Sequence, residues 1–283
     1  MGRSIVSIDE VKKKVVRSIA NAAGRGDDPY VPDPRENFLD SVDESQIDEV
    51  LGQVGGGDGS ELTSKNGRIK FGAAHSSSAL AANVFGAWVG QADGLTVAGM
   101  GGFSEVRFEE KFPTGLTGNA PNLDVWLPSF EGPVAIESKF TEYLESKQAD
   151  FKDSYEGLVD EIADGSWTSL YIDLKANPLL YDRIDVAQLV KHYLGLRRAV
   201  DGGKFETVTL LYLFWEPSNA SEISEFAAHR ENLLEISSRV GDPAVSFKYL
   251  SYSDLWAEWA TGDRPDWLAD HIAELRTRYD ISV

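Results

Sequence analysis

The chain has 283 residues, of which 42% are hydrophobic and none is cysteine. This composition allows a sizeable core, and the lack of cysteine excludes disulfides and cysteine-ligated zinc or iron–sulfur centres. The 27 basic and 46 acidic residues give a net charge of −19, which argues against a general attraction to nucleic acid. The longest apolar run, Val208–Trp215, is far too short to cross a membrane, and the first residues lack a secretory pattern, so we expect a cytoplasmic protein.

Residues 1–60 differ in pattern from the rest and are predicted to form an N-terminal helical and acidic appendage. Ser7 begins a capping box, and apolar residues at helical spacing continue to about Ala23. The cations on this helix (Lys12, Lys13, Lys14 and Arg17) favour a solvated face over a DNA contact. A short acidic helix at 44–54 precedes the run GGGDGS at 55–60, which predicts a flexible break. Residues 61–283 would then form the main domain.

Helix and strand patterns alternate along the main domain. Serines at 76–78 cap an apolar helical pattern that continues to 89. The segment Ser104–Phe112 alternates as a strand does, and the next two predicted strands, at 123–127 and 134–140, would complete an antiparallel meander. The remaining predictions are strands at 206–215 and 244–251, helices at 142–164, 183–200, 220–238, 253–260 and 264–279, and a short strand or loop at 169–174. This order predicts an α/β fold with a mixed central sheet flanked by helices.

Charged residues interrupt two of the short apolar strands. Asp124 lies in the second strand, and Glu137 and Lys139 lie on one face of the third. A turn centred between residues 130 and 131 puts Asp124 directly opposite Glu137, with Cβ atoms about 5 Å apart. Two opposed carboxylates favour a bound divalent cation, and hard oxygen ligands suit Mg²⁺. Lys139 beside them would either stabilise charge that develops on a phosphate or position the attacking water.

This pattern resembles the PD-(D/E)xK nuclease superfamily, whose core is the restriction-endonuclease-like fold. The resemblance depends on Pro121–Asp124 and, after twelve intervening residues, on Glu137–Lys139. More narrowly, the runs HSSSALAANVFG, FEEKFPTG, PNLDVWL, IESKFTEYL and QLVKHYLGL are similar to a group of bacterial proteins described as restriction endonucleases. The similar region covers roughly residues 70–215.

The resemblance implies a metal-dependent endonuclease that hydrolyses DNA, with duplex DNA as the main expectation. Mg²⁺ would be the cofactor, and Mn²⁺ would substitute for it. Asp124 and Glu137 would hold the metal together with the backbone carbonyl of Ser138, and Lys139 would assist catalysis. Gln188, on the helix predicted at 183–200, would orient a phosphate or the lysine. Duplex cutters of this fold are commonly dimeric, so a homodimer is one assembly to consider.

One departure from the family pattern concerns a further metal-binding glutamate, which members often supply from the first helix. The helix predicted at 76–89 has no acidic residue. Glu109 or Glu110, on the strand before Asp124, would take that role, and we prefer Glu109 because the resemblance runs through Phe108 and Glu109.

Other interpretations stay open. The fold without catalysis would be a binding or assembly module, which the net charge and the missing helix glutamate favour. Glu137 and Lys139 would alternatively form a charge ladder on an edge strand, and the acidic segment 26–60 would alternatively cover the cleft as a mimic of DNA. The four histidines lack metal-ligand spacing, so a zinc hydrolase is not expected. His192, four residues after Gln188 on the same helix face, would either face the site or be a structural histidine, and we prefer the structural interpretation.

Overall fold

A five-stranded mixed sheet forms the centre of the fold in a computed structural model that describes residues 8–56, 61–117, 120–261 and 264–283. The helices are α1 (Ile8–Ala22), α2 (Glu44–Gly56), α3 (Ser77–Gly86), α4 (Ser154–Ile162), α5 (Gly165–Ala176), α6 (Val186–Asp201), α7 (Ser224–Arg239), α8 (Tyr252–Ala260) and α9 (Asp266–Tyr279). The strands are β1 (Ser64–Lys65), β2 (Arg68–Ile69), β3 (Arg107–Lys111), β4 (Asn122–Leu127), β5 (Val134–Lys139), β6 (Val208–Phe214) and β7 (Val245–Ser251).

The sheet order is β3-β4-β5-β6-β7. The pairs β3–β4 and β4–β5 are antiparallel, whereas the pairs β5–β6 and β6–β7 are parallel. Every residue of β6 is buried, as expected for a central strand covered on both faces. The predicted α/β fold with an antiparallel meander and further strands is therefore confirmed, and it is compatible with a restriction-endonuclease-like core.

The N-terminal helices α1 and α2 contribute to the same apolar cluster as the sheet. Val15, Ile19 and Val50 are fully buried in that cluster. The first two glycines of GGGDGS continue α2 instead of ending it, so the break predicted there is wrong for those two residues. The rest of that run and Ser7 lie outside the described residues. The domain division at residue 60 and the covering role of segment 26–60 stay predictions.

Two predicted elements between β5 and α6 are wrong. The helix predicted at 142–164 is a 3₁₀ turn at Glu142–Leu144, an extended segment and then α4. The extended segment takes its hydrogen bonds from another loop, because the backbone N–H groups of Lys147 and Ala149 donate to the carbonyls of Asp182 and Pro178.

The predicted strand or loop at 169–174 belongs to helix α5. Asp164 caps this helix by accepting from the N–H of Ser166, and the buried residues recur at helical spacing (Trp167, Leu170, Tyr171 and Leu174). No helix in the described ranges is long and apolar enough to cross a membrane.

Candidate active site

The site begins where the hydrogen-bond ladder between β4 and β5 ends. The last pairs are Leu127 with Val134, Trp126 with Ala135 and Val125 with Ile136, so the next position is Asp124 opposite Glu137, which confirms the predicted register. At this position a side chain takes the place of a backbone acceptor in the ladder: Oδ2 of Asp124 accepts a hydrogen bond from the backbone N–H of Ser138 at 2.7 Å. The carboxylate of Asp124 is thereby fixed at the open end of the strand pair.

The ladder between β3 and β4 is interrupted at the same level. Phe108 pairs with Val125 and Glu110 pairs with Leu123, which leaves Glu109 opposite Asp124. Glu109 has φ of 57°, a left-handed conformation that costs a non-glycine residue about 1–3 kcal/mol and is concentrated at functional sites. Its carboxylate accepts from Nδ2 of Asn122 at 2.5 Å.

Glu109, Asp124 and Glu137 therefore occupy consecutive positions across three strands, and we call them the carboxylate row. Glu110 lies outside the row, opposite an apolar residue. The preference for Glu109 over Glu110 thus agrees with the sheet register, although its role as a metal ligand stays a prediction.

Glu137 is the most buried member of the row, with 1% of its surface exposed. Nζ of Lys139 donates to its Oε1 at 2.5 Å and to Oε1 of Gln188 at 3.0 Å. Nε2 of His192 lies 2.8 Å from the other oxygen, Oε2, so both oxygens of this buried carboxylate have a nitrogen neighbour.

Helix α6 brings Gln188 and His192 to the row. Asp185 begins the helix by accepting the N–H of Gln188 at 2.9 Å, and His192 follows one turn later on the same face. His192, 3% exposed, contacts Glu137 and therefore faces the site, which is the alternative that its spacing from Gln188 had left open.

Ser138 differs from its neighbours because its side chain points to the opposite face of β5. Its Oγ lies 2.7 Å from the hydroxyl of Tyr252 on α8, and both residues are buried. Only the main chain of Ser138 is thus available to a metal, as the resemblance implied. Helix α3 carries no acidic residue, so it supplies no carboxylate to the row.

A sequence model of the family described as "Restriction Endonuclease associating with ARP" matches residues 13–280. The chain belongs to this restriction-endonuclease family. No curated protein and no solved structure matches the chain. The REase-ARP match includes all of the sheet and all of α6, and so every residue of the site described above.

Burial and mutual repulsion set the charges of the row in this REase-ARP chain. Burial, reinforced by the charge of Glu137, raises the pKa of Asp124 well above its usual value. Burial also raises the pKa of Glu109, although the hydrogen bond from Asn122 opposes that shift. Burial alone would raise the pKa of Glu137, but the charges of Lys139 and His192 outweigh it and lower that pKa to about 2.

The pKa of Lys139 is raised, whereas that of its partner Glu137 is lowered. Burial alone would lower the pKa of Lys139, but the negative charge of Glu137, followed by those of Glu142 and Asp124, outweighs burial and raises it. The ammonium group is therefore charged at neutral pH, and it neutralises only one of the two carboxylates that lie beside it.

The donor set fits a small divalent ion. In the described ranges, no three Asp, Glu or His side chains are close enough to share one ion. Mg²⁺ does not require three, because it is commonly bound by one or two carboxylates together with water and substrate phosphate. The raised pKa of Asp124 shows a carboxylate short of positive charge, and it lies opposite the buried carboxylate of Glu137. Both features would be satisfied by a cation between them.

Proposed function

We propose that this chain is a PD-(D/E)xK endonuclease that uses Mg²⁺ to hydrolyse phosphodiester bonds in DNA. The observation that carries the proposal is the meeting of Asp124, Glu137 and Lys139 where the antiparallel ladder opens. Two partly compensated carboxylates are costly in a core, and they become favourable when a divalent ion binds. Membership of a restriction-endonuclease family supports nuclease-like chemistry.

Asp124 and Glu137 would hold the ion, with the backbone carbonyl of Ser138 as a further ligand. The carboxylate of Glu109, the remaining predicted ligand, is not close enough to share the ion directly and would contact it through a water molecule. Mn²⁺ would substitute, because it accepts the same oxygen donors. When bound, Mg²⁺ would supply positive charge to the scissile phosphate and lower the pKa of the attacking water.

Lys139 acts as a cation in this proposal. Its raised pKa in the metal-free protein keeps the ammonium group protonated at neutral pH, which favours a role as a cation over a role as the base for the attacking water. It would instead stabilise the negative charge that develops on the phosphoryl oxygens in the transition state. Gln188 holds this group in place by accepting a hydrogen bond from Nζ. A homodimer would provide one such site for each strand of a duplex.

The test is cleavage of supercoiled and linear DNA in Mg²⁺ or Mn²⁺, comparing the wild type with Glu137→Gln and Lys139→Met. We expect the wild type to nick DNA only with metal, and both variants to lose at least about 100-fold in rate. Glu109→Gln is expected to reduce the rate as well. Glu110→Gln is the matched control, since Glu110 lies on the same strand but outside the carboxylate row.

Cleavage that survives both Glu137→Gln and Lys139→Met in folded protein would refute the assigned site. If the wild type neither cleaves DNA nor gains thermal stability from Mg²⁺, the proposed nuclease activity is refuted. The binding or assembly module, which the charge of −19 favours, would then be the better hypothesis.

A further inference from the structure

A cleft of about 710 Å³ opens beside the carboxylate row. It is bounded by the β1–β2 hairpin, the start of α3, one side chain of α1 and the turn after β5, and we call it the hairpin cleft. Thr141 and Glu142, which line it, follow Lys139 by two and three residues. Glu61 also lines it, and its charge contributes to the raised pKa of Glu109. Asp124, Glu137 and Lys139 do not line the cleft themselves, but Glu142, which does, contributes to the raised pKa of Lys139, so the cleft lies close to the candidate active site.

The hairpin holds two cations against each other. Lys65 pairs with Arg68 across β1 and β2, and the two residues between them have φ of 56° (Asn66) and 77° (Gly67). Positive φ at both central positions is the geometry of a tight two-residue hairpin, for which Asn-Gly is the preferred sequence. Like charges directly opposite each other in such a pair destabilise the hairpin unless an anion lies between them.

These two cations are also available. Both residues are exposed, and within the described ranges neither forms an ion pair with a carboxylate. The guanidinium of Arg68 lies 4.4 Å from the ring centre of Tyr30, which holds it against the cleft wall. The other lysines that line the cleft are already neutralised, because Lys12 pairs with Glu145 and Lys70 pairs with Glu61.

We propose that Lys65 and Arg68 bind the phosphate backbone of the DNA strand next to the phosphate that is cleaved. This inference rests on the proposed function and adds to it the residues that position the substrate. It also accounts for how a chain with a net charge of −19 would hold DNA, since phosphate contacts depend on local charge. Two available cations predict about two phosphate contacts from this hairpin.

The experiment measures binding of a fluorescein-labelled DNA duplex in Ca²⁺, which supports binding without the Mg²⁺ that cleavage requires, over a range of KCl concentrations. The test variant is Lys65→Ala with Arg68→Ala in the full chain. The matched control is Lys248→Ala with Arg276→Ala, which removes one exposed lysine and one exposed arginine outside the cleft. Both double variants lower the net charge by the same amount, so a general charge effect would weaken them equally.

We expect the hairpin variant to bind about tenfold more weakly at about 0.1 M salt. The slope of log K against log salt should become shallower by about 2, because each phosphate contact contributes about 1. The control should retain both the affinity and the slope of the wild type. Equal weakening of both double variants, or no weakening of the hairpin variant, would overturn the proposal, as would failure of the wild type to bind the duplex.

Two further arms separate the alternatives. Inorganic phosphate at matched ionic strength should displace the duplex no better than chloride does, and stronger displacement would show a free phosphate site and overturn the backbone assignment. Cleavage in Mg²⁺ is measured on the same proteins. Wild-type cleavage with unaltered hairpin binding would refute this inference alone, whereas hairpin-dependent binding without any cleavage would support it and refute the proposed nuclease.

Discussion

Replacement of Asp124 by Asn is expected to stabilise the metal-free protein while removing its response to Mg²⁺. Asp124 lies opposite Glu137 at the end of the β4–β5 ladder, and its pKa is raised by burial and by that neighbour. Asn has nearly the same shape and keeps an oxygen that accepts the N–H of Ser138. The substitution therefore removes mainly the negative charge.

The magnitude follows from the register. Directly opposed side chains have Cβ atoms about 5 Å apart, and two unit charges at about 5 Å with an effective dielectric constant of about 20 repel by about 3 kcal/mol. Lys139 attracts Asp124 and offsets part of this repulsion. We expect a net gain of about 1–2 kcal/mol in the free energy of unfolding, or about 2–8 °C in Tm for a chain of this size.

The assay is thermal and urea unfolding in EDTA and in Mg²⁺. At a Mg²⁺ concentration about ten times Kd, the wild type should gain about 1.4 kcal/mol, and Asp124→Asn should gain much less. Asp164→Asn is the control, because hydrogen bonds from Ser166 lower the pKa of that carboxyl, so loss of its charge should not stabilise the protein. If Asp124→Asn is less stable than the wild type in EDTA, or if Mg²⁺ stabilises both equally, the argument for a repulsive metal site is wrong.

Two further predictions concern packing and pH. Gly195→Ala is expected to lower the free energy of unfolding in urea by about 2–3 kcal/mol, because a methyl group there would overlap the carbonyl oxygen of Phe112. Gly157→Ala is the control and should be neutral or slightly stabilising, since no atom lies within 4 Å of the added methyl group. Equal effects of the two substitutions would refute the close contact at Gly195. Burial lowers the pKa of His229 to about 3 from 6.5, so as the pH falls through 6.5 the unfolded chain takes up a proton that the native state does not. We therefore expect the free energy of unfolding of the wild type to fall by about 2 kcal/mol between pH 7 and pH 5. His229→Gln, which retains a polar group near Tyr212, should lose less over the same range. Equal losses in the two proteins would contradict the assignment of this pH dependence to His229.

The part of the site that sequence predicted depends on short-range geometry. A short turn and apolar alternation leave few alignments for β4 and β5, because a slip of one residue would turn every buried side chain outward. The position of Asp124 opposite Glu137 follows from that constraint, and the structure has the same register. Gln188 was assigned through the resemblance to the nuclease superfamily, and periodicity contributed only the helix on which it lies.

The parts that sequence did not predict depend on contacts between distant segments. The segment 146–152 is not helical, and the N–H groups of Lys147 and Ala149 donate to the carbonyls of Asp182 and Pro178, a pairing that no local sequence pattern predicts. The proximity of His192 to Glu137 depends on how α6 is rotated about its axis against the sheet. The left-handed backbone conformation of Glu109 could not be predicted either, because an alternating strand pattern indicates which side chains are buried and not the backbone φ angle.

The two proposed binding sites share one physical feature, which is repulsion between like charges on paired strands. The carboxylate row and the Lys65–Arg68 pair each hold like charges at directly opposed strand positions, where they lower the stability of the free protein. Binding of an ion of the opposite sign relieves this repulsion. Part of the binding free energy therefore comes from the removal of an unfavourable electrostatic interaction that is present in the folded, unbound protein. Because the row lies beside the cleft, a metal ion and a phosphate bound together would neutralise each other as well as their own sites. We therefore expect DNA and divalent metal to bind with positive coupling.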